Sequence, residues 1–185
     1  MAIQDRLYTA QELADMPDDG KIYELHNGVL VEVAGSKLQQ SRLAAWLIHL
    51  LFSFIEQHQL GGAVTGADGT AALNKYNTRI PDAAYISTER LKTQDMNGFI
   101  QGAPDLAIEV VSPSNSGPEM QQRAGEYLGA EARLVWIVNP ATRTVDVYRF
   151  DGTRTVLSGN DVLDGGDVLP GLALSLPEVF KVLDA

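Results

Sequence analysis

The sequence predicts a mixed α/β domain, a mixed β-sheet flanked by helices, and three observations carry that prediction. Two short β-rich runs, 82–86 and 106–111, read as interior strands, with Pro81 and Pro104 just upstream of them. A stretch from Leu38 to His58 places Leu43, Leu47, Leu50, Leu51, Phe54 and Ile55 at helical spacing. Strands and helices alternate only in part, which favours a mixed sheet over a doubly wound parallel one.

The elements follow in order. Thr9-Ala-Gln-Glu12 has the form of a capping box and opens a short helix that Pro17 and Gly20 close. Segments 22–26 and 29–33 read as strands joined at Asn27-Gly28, a strong hairpin signal. The long helix stops at Gly61-Gly62, and short strands follow near 63–65 and 70–73, broken by Asp68-Gly69. Residues 89–101 read as a surface excursion between the interior strands. After the loop Ser112-Pro-Ser-Asn-Ser-Gly, Pro118 suits the first turn of a helix running to Gly129, with Met120, Ala124, Tyr127 and Leu128 on one face. Segment 134–138 is a third apolar strand, ended by Asn139-Pro140. Segments 145–150 and 153–157 form a hairpin across Asp151-Gly152, and a last helix, 176–183, carries Pro177 in its first turn. No repeat, low-complexity segment or linker interrupts the chain, so residues 1–185 are expected to form a single domain.

Composition narrows the chemistry. The apolar share is 45% and the charged share 21%, globular values rather than disordered ones. With no cysteine, zinc–thiolate sites, disulfides and cysteine nucleophiles are excluded, and a reducing, cytoplasmic setting is expected. The longest apolar-rich stretch, 43–55, is broken by His49 and Ser53 and is too short to span a bilayer, so no membrane partner is expected. The net charge of −10 counts against a polyanionic partner, unless a local basic patch or a bridging divalent cation overcomes it.

Three carboxylates sit where a purely structural strand rarely puts them. Glu24 lies inside Ile22-Tyr-Glu-Leu-His, Asp82 opens Asp-Ala-Ala-Tyr-Ile, and Glu109 lies inside Leu106-Ala-Ile-Glu-Val-Val. An ionised carboxylate among apolar neighbours is costly unless it is paired or binds a metal. Clustered carboxylate oxygens are the hard ligands that Mg2+ and Mn2+ prefer. Each residue also has a structural reading: Glu24 facing solvent on a hairpin, Asp82 making a local backbone bond at strand entry, Glu109 in a buried ion pair with an arginine. His26 reads as a solvated turn residue, His49 and His58 as helix residues, and Asp105 as the acceptor of a local turn bond. No phosphate loop and no serine-hydrolase elbow is present.

Five segments in order resemble one known family. They are Tyr23-Glu-Leu-His-Asn-Gly-Val-Leu-Val-Glu32, Arg79-Ile-Pro-Asp-Ala-Ala-Tyr-Ile86, Gly102-Ala-Pro-Asp-Leu-Ala-Ile-Glu-Val-Val-Ser-Pro-Ser114, Tyr127-Leu128 and Val135-Trp-Ile-Val-Asn-Pro140. Together with Leu169-Pro-Gly-Leu172 they resemble the Uma family of restriction endonucleases, abundant in cyanobacteria, within the PD-(D/E)xK nuclease superfamily. The likeness runs from Thr9 to Phe180 and implies a restriction-endonuclease-like fold. It also implies roles: Asp82 as the first metal-binding aspartate, Glu109 as the acid of the (D/E)xK element, Glu24 as the glutamate completing the site. The third position of that element is Val111, not lysine; in the family the lysine has moved to the following helix, where Arg123 stands here. Arginine clamps phosphate but stays protonated, so it does not replace lysine as a tunable partner of the attacking water. Its structural alternative is an ion pair with Glu126 three residues on. Gln40 is a second departure, at a position where relatives carry histidine.

The sequence therefore points to a metal-dependent endonuclease acting on DNA. Glu24, Asp82 and Glu109 would hold Mg2+ or Mn2+, and Arg123 would contact the scissile phosphate. A homodimer is expected, as is common for domains that cut duplex DNA. Two alternatives stand beside this: a non-catalytic relative that binds nucleic acid or a protein, and a two-carboxylate glycosidase using Glu24 and Glu109. The glycosidase ranks last, since two tryptophans and no aromatic-rich loop give no sugar platform.

Overall fold

Along Leu106–Val110 every residue is buried, and the side chains divide by parity between two cores. Leu106, Ile108 and Val110 meet Leu134, Trp136 and Val138 on one face; Ala107 meets Val135 and Ile137 on the other. Residues that alternate in direction and are apolar on both sides make a strand at the centre of a sheet covered twice. The computed structural model, which describes residues 6–184, places helices on both of those faces.

In chain order the first elements are α1 (Ala10–Ala14), the hairpin β1 (Tyr23–His26) and β2 (Val29–Glu32), and the long helix α2 (Leu38–His58). Next come β3 (Ala63–Thr65), β4 (Ala71–Asn74), β5 (Asn77–Arg79), β6 (Ala83–Ile86), α3 (Thr88–Leu91) and β7 (Ile100–Gln101). The chain continues through β8 (Leu106–Val110), α4 (Gly117–Gly129) and β9 (Leu134–Asn139). It closes with β10 (Thr144–Arg149), β11 (Arg154–Leu157), β12 (Val162–Asp164), β13 (Ala173–Ser175), α5 (Leu176–Phe180) and a 3-10 turn, Lys181–Leu183.

The main sheet has the order β11-β10-β9-β8-β6-β3. β8 and β9 run parallel, as they must when α4 is the crossover between them, and the other neighbours run antiparallel. Helix α2 covers one face through Leu43, Leu47, Leu51 and Phe54, and α5 joins it with Leu176, Val179 and Phe180. Helix α4 covers the other with Met120, Ala124 and Tyr127. The mixed sheet flanked by helices is thus the architecture that the partial alternation of elements predicts.

The local signals act as read. Thr9 with Glu12 and Ser116 with Glu119 form capping boxes, and Pro118 lies in the first turn of α4. Asn27 and Gly28 both have positive φ (52° and 80°), the backbone of a two-residue hairpin turn. Other details differ. The excursion 89–101 contains most of α3 and the strand β7, which pairs parallel to β4 in a separate sheet ordered β5-β4-β7. β5, β7 and the β12–β13 hairpin are pieces of two or three residues, too short to show a period. The last helix is shorter than expected, because its end tightens into the 3-10 turn. Asp82 stands in the bend before β6, not within the strand.

These pieces bring the start of β6 beside the end of β8, with Ala83 opposite Ile108. The β1–β2 hairpin docks on β5, where the Leu25 amide donates to Thr78 Oγ1 at 2.8 Å and the Gly28 amide to the Tyr76 carbonyl at 2.7 Å.

Because Leu47 is fully buried under the sheet, Leu47→Ala should destabilise the protein by about 2–5 kcal/mol in urea unfolding. Phe150→Ala, at a side chain left largely in water, should stay within about 0.5 kcal/mol. Equal effects would show that α2 does not cover the core.

Candidate active site

Glu24 is the most buried acid of the three, on a strand whose neighbour Leu25 is also fully enclosed. Its Oε1 accepts from the Ile80 amide at 2.9 Å and from Arg123 Nη1 at 3.2 Å. Its Oε2 accepts from Arg123 Nη2 at 3.0 Å, meets His26 Nε2 at 3.1 Å and faces Arg79 Nη1 at 3.5 Å. Burial works against its charge, but Arg123, His26, the Ile80 amide and Arg79 together hold its pKa below the ordinary glutamate value.

Glu109, on β8, points to the α4 face. Its Oε1 accepts from Tyr127 Oη at 2.7 Å and from Arg123 Nη1 at 3.2 Å. Burial pushes Glu109 up to about 7, against the lowering pull of Arg123; Asp82 adds to the rise and Tyr127 opposes it. Asp82 is half-buried, and its Oδ2 accepts from the Val110 amide at 2.7 Å, which ties the entry to β6 to the strand carrying Glu109. Burial raises Asp82 as well, partly offset by that amide and by Arg123.

Arg123 lies in the middle of this group. One nitrogen, Nη1, touches Glu24 and Glu109 at once, and its side chain retains 17% exposure. Burial alone would weaken its charge, but Glu109 and Glu24 more than compensate and raise its pKa above the ordinary arginine value. The alternative pairing with Glu126 does not form. Arg79, nearly fully buried, takes Glu126 instead, with Nε at 2.8 Å and Nη2 at 2.7 Å. Arg79 also donates from Nη1 to the carbonyls of Thr78 at 2.9 Å and Leu25 at 3.3 Å.

Glu24, Glu109 and Arg123 thus come into direct contact, while Asp82 joins through the backbone of β8. The three carboxylates are not arranged as an open cage. Among the described residues no set of three His, Asp or Glu side chains is spaced to hold a metal ion, and the Arg123 guanidinium stands where Glu24 and Glu109 would share one. Among the described residues, none hydrogen-bonds Asp82 Oδ1 or Glu109 Oε2. Asp82 also forms part of the wall of a cleft of ≈ 430 Å3, with Ile22, Ser36, Ser41, Ala44 and Ile80. A hollow of ≈ 690 Å3 beside α1 and β4 shares no residue with these acids.

Several neighbours escaped the sequence reading. Arg79 ends β5 in the Arg-Ile-Pro-Asp segment, where no local spacing announces its partners, whereas Tyr127 lies one helical turn after Arg123, a spacing that puts the two on one face of α4. His26 is not a solvated turn residue: its ring, partly exposed, bonds Glu24. Asp105 makes no local turn bond. Its buried carboxylate accepts from the Ser87 amide at 2.7 Å and faces Arg90 Nε at 3.7 Å, joining the start of α3 to β8. Gln40, the altered position on α2, is buried with Nε2 at 3.5 Å from the Val111 carbonyl and with Oε1 unpartnered. His49 stacks on Trp46 and His58 on Phe54, away from the acids, as helix residues.

No curated protein matches this sequence. A crystal structure described as "a putative nuclease belonging to DUF820", from Anabaena variabilis ATCC 29413, superposes with a TM-score of 0.80. It covers 95% of this chain and 98% of that one at 20% sequence identity, which establishes a shared fold. The family model described as "Putative restriction endonuclease" matches residues 10–177, a span that contains Glu24, Asp82, Glu109 and Arg123. This chain belongs to the Uma2 family.

Proposed function

We propose that the protein is a metal-dependent endonuclease that hydrolyses DNA phosphodiesters, with Asp82 and Glu109 holding the cation. The observation that carries this is the closeness of two carboxylates, Asp82 at the entry to β6 and Glu109 on the adjoining strand β8. Each has one oxygen fixed by a protein donor, the Val110 amide or the Tyr127 hydroxyl, and one oxygen that accepts no hydrogen bond from the described residues. Two hard oxygens suit Mg2+ or Mn2+, since Mg2+ keeps several waters and takes one or two carboxylates together with phosphate oxygens. Bound there, such a cation supplies an activated water and Lewis-acid pull on the phosphoryl group. Glu24 fits that set poorly, because both its oxygens are taken by arginines and the Ile80 amide. Its role is to hold Arg123 at the site.

The chain's own residues then divide the work. Tyr127 and the Val110 amide orient the two carboxylates. Arg123, the outermost cation of the group, presents a planar fork that matches a phosphodiester. Asp82 is the charged residue on its cleft's wall, so a polyanion approaching there meets negative charge until a cation is bound. A second reading, a non-catalytic binding module, is favoured by Arg123 itself, whose guanidinium already neutralises the acids that a metal would use. No helix among the described residues is long and apolar enough to cross a membrane.

Calorimetric titration with Mn2+ should show binding that Asp82→Asn and Glu109→Gln each abolish, and a plasmid-cleavage assay should lose on the order of 10²–10³-fold in each variant. Binding without cleavage would select the binding module; no binding by the folded protein would sink the metal site.

Glu109 also makes stability depend on pH. Its pKa in the folded protein, about 7, lies above the ordinary 4.5, so the folded state binds the extra proton between those values. Stability from this group is therefore full below pH 4.5 and is lost as pH rises towards 7. Glu109→Gln should remove that loss, on the order of 3 kcal/mol, in urea unfolding at a series of pH values. Identical pH profiles for the two proteins would show that Glu109 is ionised throughout.

We also propose that the protein acts as a two-fold pair, the common arrangement for cutting both strands of a duplex. Light scattering should then give twice the chain mass of 20.0 kDa, and a monomer mass would count against it.

A further inference from the structure

We propose that Arg123 is a tethered counter-ion that weakens the hold of the carboxylate site on metal until a phosphodiester draws its guanidinium away, so that metal and phosphodiester bind cooperatively. This rests on the reading of Asp82 and Glu109 as the cation-holding pair.

The guanidinium and a divalent cation compete for the same charge. Nη1 lies 3.2 Å from Glu109 Oε1, while the oxygen left for a metal is the other one of that same carboxylate. A cation placed there would share one carboxylate with a fixed positive charge, in an interior where charges are poorly screened. The free site is therefore partly balanced and attracts metal less than its carboxylates alone would.

The rest of the network allows Arg123 to leave. Arg79 remains beside Glu24, anchored by Glu126 and the carbonyls of Thr78 and Leu25. The Ile80 amide and His26 also remain on Glu24, and Tyr127 remains on Glu109. Neither acid is stranded. Arg79 is 3% exposed, whereas Arg123 is 17% exposed, so Arg123 is the cation that can reach a ligand from solvent. A phosphodiester offers two oxygens to the same fork that now grips Glu24 through Nη1 and Nη2. Turning to it exchanges one bidentate partner for another and removes the repulsion at Glu109. Coupling of this kind is reciprocal: a phosphodiester tightens metal by the factor by which metal tightens the phosphodiester.

The test measures Mn2+ affinity by calorimetry, with no turnover involved. In the natural protein, dimethyl phosphate, the smallest phosphodiester, should tighten Mn2+ binding by about tenfold, within the usual range of coupling between sites. Arg123→Gln, with folding checked by circular dichroism, should bind Mn2+ about tenfold tighter than the natural protein without any phosphodiester, a similar factor because the same repulsion is removed. The natural-protein titration decides the question even where the variant does not fold. Mn2+ binding unchanged by dimethyl phosphate, or as tight in the natural protein as in folded Arg123→Gln, overturns the counter-ion role and leaves the metal site standing. No Mn2+ binding in any of these samples overturns the metal site, and this inference with it.

Discussion

The charge on Glu24 has to be balanced inside the protein, and much of the structure around the site follows from that. A carboxylate sealed from water is expensive unless several donors replace its hydration. Here the donors come from three directions: the Ile80 amide from the segment leading to β6, Arg79 from β5 and Arg123 from α4. The β1–β2 hairpin is thereby fastened to the main sheet and to its covering helix by one acid. The full set makes the arrangement of hairpin, strand and helix specific.

The two arginines have different work although both meet Glu24. Arg79 is enclosed and spends its donors on Glu24, Glu126 and two backbone carbonyls. It is part of the scaffold. Arg123 is bound by side chains alone and reaches towards solvent. Such an arginine can change partners without breaking the fold, the property on which the proposed phosphate contact rests.

The overall charge of −10 and the DNA-directed activity proposed above meet at the level of the site. Binding to a polyanion is driven by cations placed at the phosphates, so the mean charge of a surface matters less than the charge at the site. In the proposed function, Asp82 and Glu109 would hold a cation between protein and phosphate. In the family to which the chain belongs, lysine stands on the following helix, as the resemblance implies; arginine at that place keeps a permanent charge and a wider fork. In the proposed function, that change would shift emphasis from tuning a water to holding a phosphate.

Much of the fold is legible in local sequence because its signals are local. The capping boxes at Thr9 and Ser116 and the Asn27-Gly28 turn act within a few residues, and the parity of Leu106 to Val110 announces a strand with two covered faces. The strands β5 and β7 were not legible, since pieces so short are held by their neighbours and not by a pattern of their own. At the site, the sequence by itself determined which acids stand among apolar neighbours, and that they need compensation. It did not determine the compensating partners. Arg123 had Glu126 available on its own helix, yet it pairs with Glu24, 99 residues away, while Glu126 pairs with Arg79, 47 residues away. Tertiary packing decided this, because a charge pairs where burial makes the unpaired state most costly, and burial is a property of the assembled sheet and helices.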